Sequence, residues 1–263
     1  MKFAFWKMHG AGNDFILMDD RSLAFPAADT SFIARLCDRR RGIGAEGLLL
    51  VQPSVDADFR MRFFNPDGSE ADLCGNGARC IARLAREIGA APAQMRIETA
   101  AGQVRADITP PLVRLHLPPE KDWRLNIAVT REGQPMTLHF VNTGVPHAVV
   151  LVDDLSAVDL PDLGSYIRRH PLFAPAGTNA DFIQVSGPDS LAIRTYERGV
   201  EAETLACGTG IVAAAWVADK LGLVRAPVRV TTAGGDILEV GLSPLVLTGP
   251  AEHVFQGEIP YRQ

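Results

Sequence analysis

Two cysteines carry the chemistry that this sequence advertises. Cys74 opens the phrase Cys74-Gly75-Asn76-Gly77 and Cys207 opens Cys207-Gly208-Thr209-Gly210, 133 residues apart in a chain of 263. A thiol can accept or donate a proton, and the neighbouring glycines let the backbone come close to a ligand. Each cysteine heads a stretch with helical apolar spacing. Both thiols are thus expected in the first turn of a helix, where unpaired N–H groups and the positive dipole end lower a thiol pKa and seat an anion. One Cys-Gly-x-Gly alone is more often a small buried residue at a tight turn. Two in step are not.

Paired thiols beside anion seats fit proton transfer at a carbon next to a carboxylate. One thiolate takes the α-proton, the other thiol returns a proton to the opposite face, and the centre inverts. The developing carbanion would be held by the fixed dipoles of the helix ends, without an electron-sink cofactor. The other use of two thiols is disulfide exchange, which needs them at bonding distance. Oxidation without substrate could then close the pair, giving reversible inactivation.

The positioning elements follow from the repeat. Arg96-x-x-Thr99-Ala100-x-Gly102 returns as Arg229-x-x-Thr232-Ala233-x-Gly235, and Glu70 and Glu203 each stand four residues before their cysteine. A period this long means two domains and not a solenoid. If the two copies face each other across a pseudo-twofold axis, the cysteines can meet in one cleft. The expected division is 1–117 plus 252–263 for the half carrying Cys74 and 118–251 for the half carrying Cys207, with Pro118-Pro119 as the linker.

Apolar alternation predicts strands at Phe3 to Met8, Phe15 to Asp19, Leu48 to Gln52 and Asp58 to Phe64, a helix from Gly75 to about Ile88, and three short strands up to Leu117. The second half predicts strands near Thr137 to Val141, Ala148 to Val152, Asp181 to Val185 and Leu191 to Tyr196. Its helices are a short one at Leu163 to His170 and a long, nearly all-apolar one at Gly208 to Leu221. The implied class is α+β: two pseudo-symmetric domains, each a mostly antiparallel sheet wrapped around a central helix.

Bulk properties narrow the partners. With 47% hydrophobic and 22% charged residues and a net charge of −5, the composition is that of a globular protein with no basic field for nucleic acid or anionic membrane. No apolar run reaches the length of a membrane span, and the first residues are broken by charge too early for a signal peptide. The expected location is the cytoplasm, where four cysteines are thiols. No CxxC or HExxH motif is present, and no motif for pyridoxal phosphate, nucleotide or metal, so no cofactor and no metal are expected and the partner is a small molecule.

Longer blocks carry a resemblance. Phe64-Asn65-Pro66-Asp67-Gly68-Ser69-Glu70 leading into Cys74-Gly75-Asn76-Gly77-Ala78-Arg79-Cys80, and Tyr196-Glu197-Arg198-Gly199 leading into Glu203-Thr204 and Ala206-Cys207-Gly208-Thr209-Gly210, resemble the two active-site blocks of the diaminopimelate epimerase family. The likeness runs from Gly10-Ala11-Gly12-Asn13-Asp14-Phe15 to Gly249-Pro250-Ala251. It implies that Cys74 and Cys207 are the acid–base pair and that Gly75, Asn76, Gly208 and Thr209 hold the reacting carboxylate at the helix ends. Asn65, Asn179, Glu197 and Arg198 would read the far end of an amino-acid substrate, with Asn13 lining the cleft. His147, in Thr143-Gly144-Val145-Pro146-His147, matches a family histidine close to the thiols that could tune or accept their protons. Glu197 joins it on the catalytic side.

The resemblance also implies a homodimer with the Gly249 to Phe255 strand near its interface, and an isomerase serving lysine and peptidoglycan precursor synthesis. This chain has Val145 where many members carry asparagine, and Gly47 after Glu46 where many carry glutamine, each removing a possible polar contact. The rivals are a racemase of another amino acid such as histidine, with Glu46 on the ligand, a thiol-redox protein, and a binding module of the same fold. Cys37 and Cys80 are expected in the core, and Trp6, Trp123 and Trp216 in packing.

Overall fold

The computed structural model describes residues 1–261; the last two residues of the expected 252–263 segment lie outside the described residues. The chain forms two compact units, one of Met1–His116 with the chain from Thr248 onward, the other of Leu117–Leu247.

The first unit contains β1 (Lys2–Gly10), β2 (Asn13–Asp19), α1 (Thr30–Cys37), β3 (Leu48–Gln52), β4 (Phe59–Phe64), β5 (Glu70–Ala71), α2 (Gly75–Glu87), β6 (Gln94–Thr99), β7 (Gly102–Thr109) and β8 (Leu112–His116). β2 runs antiparallel to β1 and parallel to β3; β3 and β4 are antiparallel, β4 runs parallel to β6, and β6, β7 and β8 form a meander. Helix α2 packs on β1 to β4, β7 and β8.

The strands β2 and β3 are covered on both faces, which is why they read as nearly continuous apolar runs. Successive side chains alternate. Ile16, Met18, Leu48 and Leu50 join the cluster built on Phe32, Ile33 and Leu36 of α1, and Phe15, Leu17 and Leu49 take the other face. Asp29 caps α1 by accepting from Phe32 N at 2.9 Å, a bond of the usual N-cap kind.

The second unit contains β9 (Lys121–Arg131), β10 (Gln134–Asn142), β11 (Pro146–Leu151), α3 (Leu160–Arg168), β12 (Asn179–Gly187), β13 (Ser190–Glu197), β14 (Ala202–Thr204), α4 (Gly208–Lys220), β15 (Val228–Thr231) and β16 (Ile237–Leu242). β9, β10 and β11 are antiparallel, β11 runs parallel to β12, β12 antiparallel to β13, β13 parallel to β15, and β15 antiparallel to β16. Helix α4 packs on β10 to β13, β15 and β16. Ala148, Val150, Ala180 and Phe182 face Leu160 and Ile167 of α3, so His147, Val149 and Asp181 are left for the α4 face.

The chain leaves along β17 (Leu245–Pro250) and ends in β18 (Glu252–Pro260), which pairs antiparallel with β1 in the first unit. There Arg79 Nε donates to Pro250 O at 3.2 Å, and Arg83 donates to Ala251 O.

Three expectations shift. The short helix begins at Leu160 because Asp159 caps it, accepting from Asp162 N at 3.2 Å with Pro161 in the first turn, where proline has no N–H to lose. The long strand β9 carried little sequence signal, because nearly all its residues are exposed or half-buried. Trp123, on β9, is 54% exposed and lies with its ring 5.5 Å from that of Trp216.

Candidate active site

Each phrase becomes a hairpin feeding a helix. In the first unit Phe64 pairs with Glu70 across β4 and β5, and Glu70 is gripped by Arg62 through two bonds of 2.7 and 2.8 Å. In the second, Tyr196 pairs with Glu203 across β13 and β14, and Glu203 is gripped by Arg194 through two bonds of 2.7 and 2.8 Å. The repeated glutamates therefore hold the hairpins that deliver the cysteines. A bidentate guanidinium–carboxylate pair fixes orientation as well as distance.

Cys74 is the half-buried N-cap of α2 and Cys207 the 8% exposed N-cap of α4, both in extended backbone. All four cysteines are thiols. The first intrahelical bonds are Ala78 N to Cys74 O at 2.8 Å and Ile211 N to Cys207 O at 2.9 Å. The N–H groups of each first turn thus have no acceptor within the helix, which makes both ends suited to a carboxylate. A Cβ on Gly75 would meet nothing within 4 Å, leaving an open approach to that helix end.

In the first unit, Asn65 closes its turn, taking its N–H to Ser69 O at 2.8 Å and its amide nitrogen to Ser69 Oγ at 3.1 Å. Asn76 is 2% exposed. Asn13, opposite Gly10 where β1 turns into β2, has a buried Oδ1 with no hydrogen bond. Gly47 has a steric cause: a Cβ there would sit 2.5 Å from Phe63 Cε2 and 2.8 Å from Phe64 O, so no longer side chain fits beside Phe63.

The second unit assembles a connected polar group around Cys207. Cys207 Sγ lies 3.5 Å from Thr209 Oγ1, which lies 2.9 Å from His147 Nε2. His147 Nδ1 is 2.7 Å from Asp181 Oδ2, and Thr195 Oγ1 donates to Asp181 Oδ1 at 2.7 Å. Thr143 Oγ1 donates to Thr209 O at 2.9 Å. Asn179 Oδ1 accepts from Arg198 N at 2.7 Å, while its amide nitrogen lies 3.4 Å from His147 Nε2. Arg198 also donates to Ala176 O at 3.1 Å. Glu197 accepts from Thr204 Oγ1 at 2.8 Å.

Helix position alone leads one to expect a lowered thiol pKa, and Cys207 departs from that. Burial pushes this thiol well above its ordinary range, and the charges of Glu197 and Asp181 push it further, while bonds from Thr209 and Gly210 N–H oppose them. Burial also raises the Glu197 carboxyl, against the Thr204 bond and the His147 charge. Desolvation outweighs the helix end here because the thiol is enclosed. Among the described residues no three His, Cys, Asp or Glu side chains converge as a metal-ligand set.

Cys207, Thr209, His147, Asn179, Glu197 and Arg198 are therefore brought together in one unit, and Cys74, Gly75 and Asn76 at one helix end in the other. Asp181 and Thr195 are polar partners that the motif reading passed over. Their sequence signal was Asn179 and Asp181 at alternate positions of an apolar strand, where period-two spacing sends both to one face.

The family model described as diaminopimelate epimerase matches residues 5–111 and 139–254. A diaminopimelate epimerase of Aquifex aeolicus is 41% identical over 97% of this chain and 97% of its own length. Another, of Archaeoglobus fulgidus, is 42% identical over 98% of this chain and 96% of its own. The fold is shared with a solved Bacillus anthracis phenazine biosynthesis protein of the PhzF family, with a TM-score of 0.74 at 16% identity, covering 99% of this chain and 100% of that one.

Proposed function

Since the chain belongs to the diaminopimelate epimerase family, we propose that it interconverts LL- and meso-2,6-diaminopimelate by two-base proton transfer at the α-carbon. Cys74 and Cys207 are the bases. As thiolate, one takes the α-proton; as thiol, the other returns a proton to the opposite face. The observation that carries this is a thiol at the N-cap of each of two helices whose first-turn N–H groups have no helical acceptor. Gly75, Asn76, Gly208 and Thr209 hold the reacting carboxylate there, and that charge disperses into fixed dipoles as the carbanion forms.

The distal amino-acid end is read by Glu197 and Arg198, a carboxylate for an ammonium and a guanidinium for a carboxylate. Asn179 holds the Arg198 turn, and Asn65 and Asn13 complete the lining. No cofactor is assigned. The two units are copies of one framework: the parallel pairs Ile16–Leu48 and Ala148–Ala180 stand at the same offset of 132 residues, as do the Arg62–Glu70 and Arg194–Glu203 hairpins within one residue.

The enzyme is placed in the cytoplasm, supported by its four thiols, in lysine and peptidoglycan precursor synthesis. It is a homodimer through β18, whose Val254 and Phe255 stand 56% and 48% exposed. Proton NMR of the reduced protein in D₂O with LL-diaminopimelate, histidine, glutamate and proline tests the activity. Loss of the α-proton signal and appearance of the meso isomer are expected with diaminopimelate alone; exchange of another amino acid would move the substrate, and none would remove the two-thiol reading.

A further inference from the structure

A buried ion cluster stands in the first unit where the second has aromatic rings. Lys7 is 5% exposed, and its ammonium is shared between Gly44 O and the Asp14 carboxylate. Asp14 is also gripped by Arg39 through bonds of 2.7 and 3.0 Å, and Arg39 Nη2 lies 3.5 Å from Glu46 Oε1. Burial alone would raise the Asp14 carboxyl, yet bonds and charges from Arg39 and Lys7 hold it below its usual range. Lys7 belongs to β1, Asp14 to β2, and Arg39, Gly44 and Glu46 to the stretch between α1 and β3. One cluster therefore ties three segments of the chain.

The second unit fastens the matching stretch without charge. Lys7 pairs with Ile16 as Phe140 pairs with Ala148, so Phe140 holds the place of Lys7. Phe140 stacks on Phe173 with centroids 5.5 Å apart and planes 18° from parallel. Phe173 lies between α3 and β12, as Arg39 and Gly44 lie between α1 and β3. At the place of Asp14, by the offset that relates Ile16 to Ala148, stands Pro146, whose side chain accepts nothing. An apolar stack thus suffices to seat this stretch on the sheet, and burying charges adds a desolvation cost that the fold does not require. What the ions add is a hold on Asp14 itself.

Asp14 is the neighbour of Asn13. Because Asn13 Oδ1 is buried and has no hydrogen bond, the adjoining backbone, rather than a bond to that oxygen, sets where the amide sits. On one side the turn residues Ala11 and Gly12 both have positive φ, 57° and 78°, as in a two-residue hairpin turn. Gly12 N donates to His9 Nδ1 there at 3.4 Å. On the other side Asp14 is fixed twice, its carboxylate by Lys7 and Arg39 and its carbonyl by Glu46 N at 2.9 Å. Successive side chains of a strand point to opposite faces. The cluster therefore grips β2 from the face of Ile16 and leaves Asn13 on the face of Phe15.

We propose that Lys7, Asp14 and Arg39 are positioning residues for Asn13, an ionic clamp on the back of β2 that holds this amide ready for the substrate and so governs affinity rather than proton transfer. It rests on the reading of Asn13 as part of the substrate lining. The clamp acts through the β2 backbone and from its opposite face. A side chain fixed before binding spares the ordering cost at binding. Releasing the clamp frees the amide and raises KM, while the two thiols keep their helix positions and kcat is preserved.

Kinetics of the full-length protein with LL-diaminopimelate test this. Asp14→Asn keeps the side-chain shape and removes the charge that both cations bind; KM is expected to rise about tenfold or more with kcat within about threefold of wild type. Arg39→Gln, at a side chain 57% exposed, should act in the same direction to a smaller extent with little burden on folding. Asn13→Ala should also raise KM, and adding Asp14→Asn to it should change KM by less than about twofold, since the clamp then has no amide to hold. An unchanged KM in Asp14→Asn, a fall in kcat in its place, or losses that multiply in the double variant would overturn the clamp.

A second readout needs no turnover: ¹H–¹⁵N NMR of the Asn13 side-chain amide in the substrate-free protein, identified by its disappearance in Asn13→Ala. In Arg39→Gln its two proton shifts are expected to move toward those of a free asparagine. Shifts unchanged from wild type would overturn the proposal even if Asp14→Asn folded poorly. If wild type exchanged no α-proton of diaminopimelate, the substrate assignment would fall, while the Asn13 amide would still decide for or against the clamp.

Discussion

His147 Nδ1 lies 2.7 Å from Asp181 Oδ2 with both side chains fully buried, on neighbouring parallel strands whose other faces are apolar. A carboxylate in that place orients the ring and stabilises it when it charges. Replacing it by an amide should disturb both. Asp181→Asn is expected to lower kcat by about 100-fold or more, the order of a lost acid–base positioning group. It should also destabilise the protein by about 1–3 kcal/mol through imperfect pairing of the buried imidazole and Thr195 hydroxyl. Steady-state kinetics and urea unfolding read the two effects separately.

Cys74→Ala and Cys207→Ala should each abolish epimerisation, by about 1,000-fold or more, while leaving the fold intact, because neither side chain makes the capping bond of its helix. Circular dichroism with α-proton exchange checks this. Retained turnover in either variant would remove that cysteine from the reaction.

Glu197→Gln keeps an acceptor for Thr204 and removes a charge beside Cys207. The wild-type carboxyl is raised by burial, so its neutral form suits the fold, and its stabilising share is present at low pH and lost as pH rises through the raised pKa. The variant should match wild type in thermal midpoint near pH 4 and exceed it at pH 7. With one repelling charge gone, Cys207 should be alkylated faster at pH 8 in the variant, read cysteine by cysteine by mass spectrometry.

Gly210→Ala would ordinarily favour a helix by roughly 0.5–1 kcal/mol. Here the added Cβ would fall 2.7 Å from Asp181 Oδ1 and 3.3 Å from His147 Cε1. The net effect should be destabilisation by about 1–3 kcal/mol together with a loss of kcat, measured by unfolding and kinetics.

Burial raises the Cys37 thiol to about 11 and the Cys80 thiol to about 12. A thiol whose folded pKa is raised contributes stability that is complete below its unfolded value and lost as pH rises through the folded one. Stability should therefore fall between about pH 9 and 11, with a limiting slope of about 1.4 kcal/mol per pH unit for each thiol. Urea midpoints at pH 8 and 10.5 should show the decline, and Cys37→Ala should shallow it.

Much of the framework was legible in the chain. The repeat of Cys-Gly-x-Gly announced two helices headed by cysteines, because helix starts depend on local residue types that survive in sequence, whereas the short strands β5 and β14 that pair Glu70 and Glu203 into hairpins were not predicted. Apolar runs located β3 and β12 for the same reason. Strand β9 left little trace, since its residues are mostly exposed or half-buried and its place depends on pairing with β10. Gly47, which looked like a missing polar contact, proved to be space for the Phe63 ring.

The sequence by itself thus determined that Cys74 and Cys207 each head a helix and which family the chain belongs to, both properties of short contiguous stretches. The raised Cys207 thiol and the closeness of His147 to Asp181 and Thr209 were decided only by the tertiary structure. The His147 contacts join residues 34 and 62 positions apart, and desolvation arises from which atoms enclose a group, information that no local spacing holds.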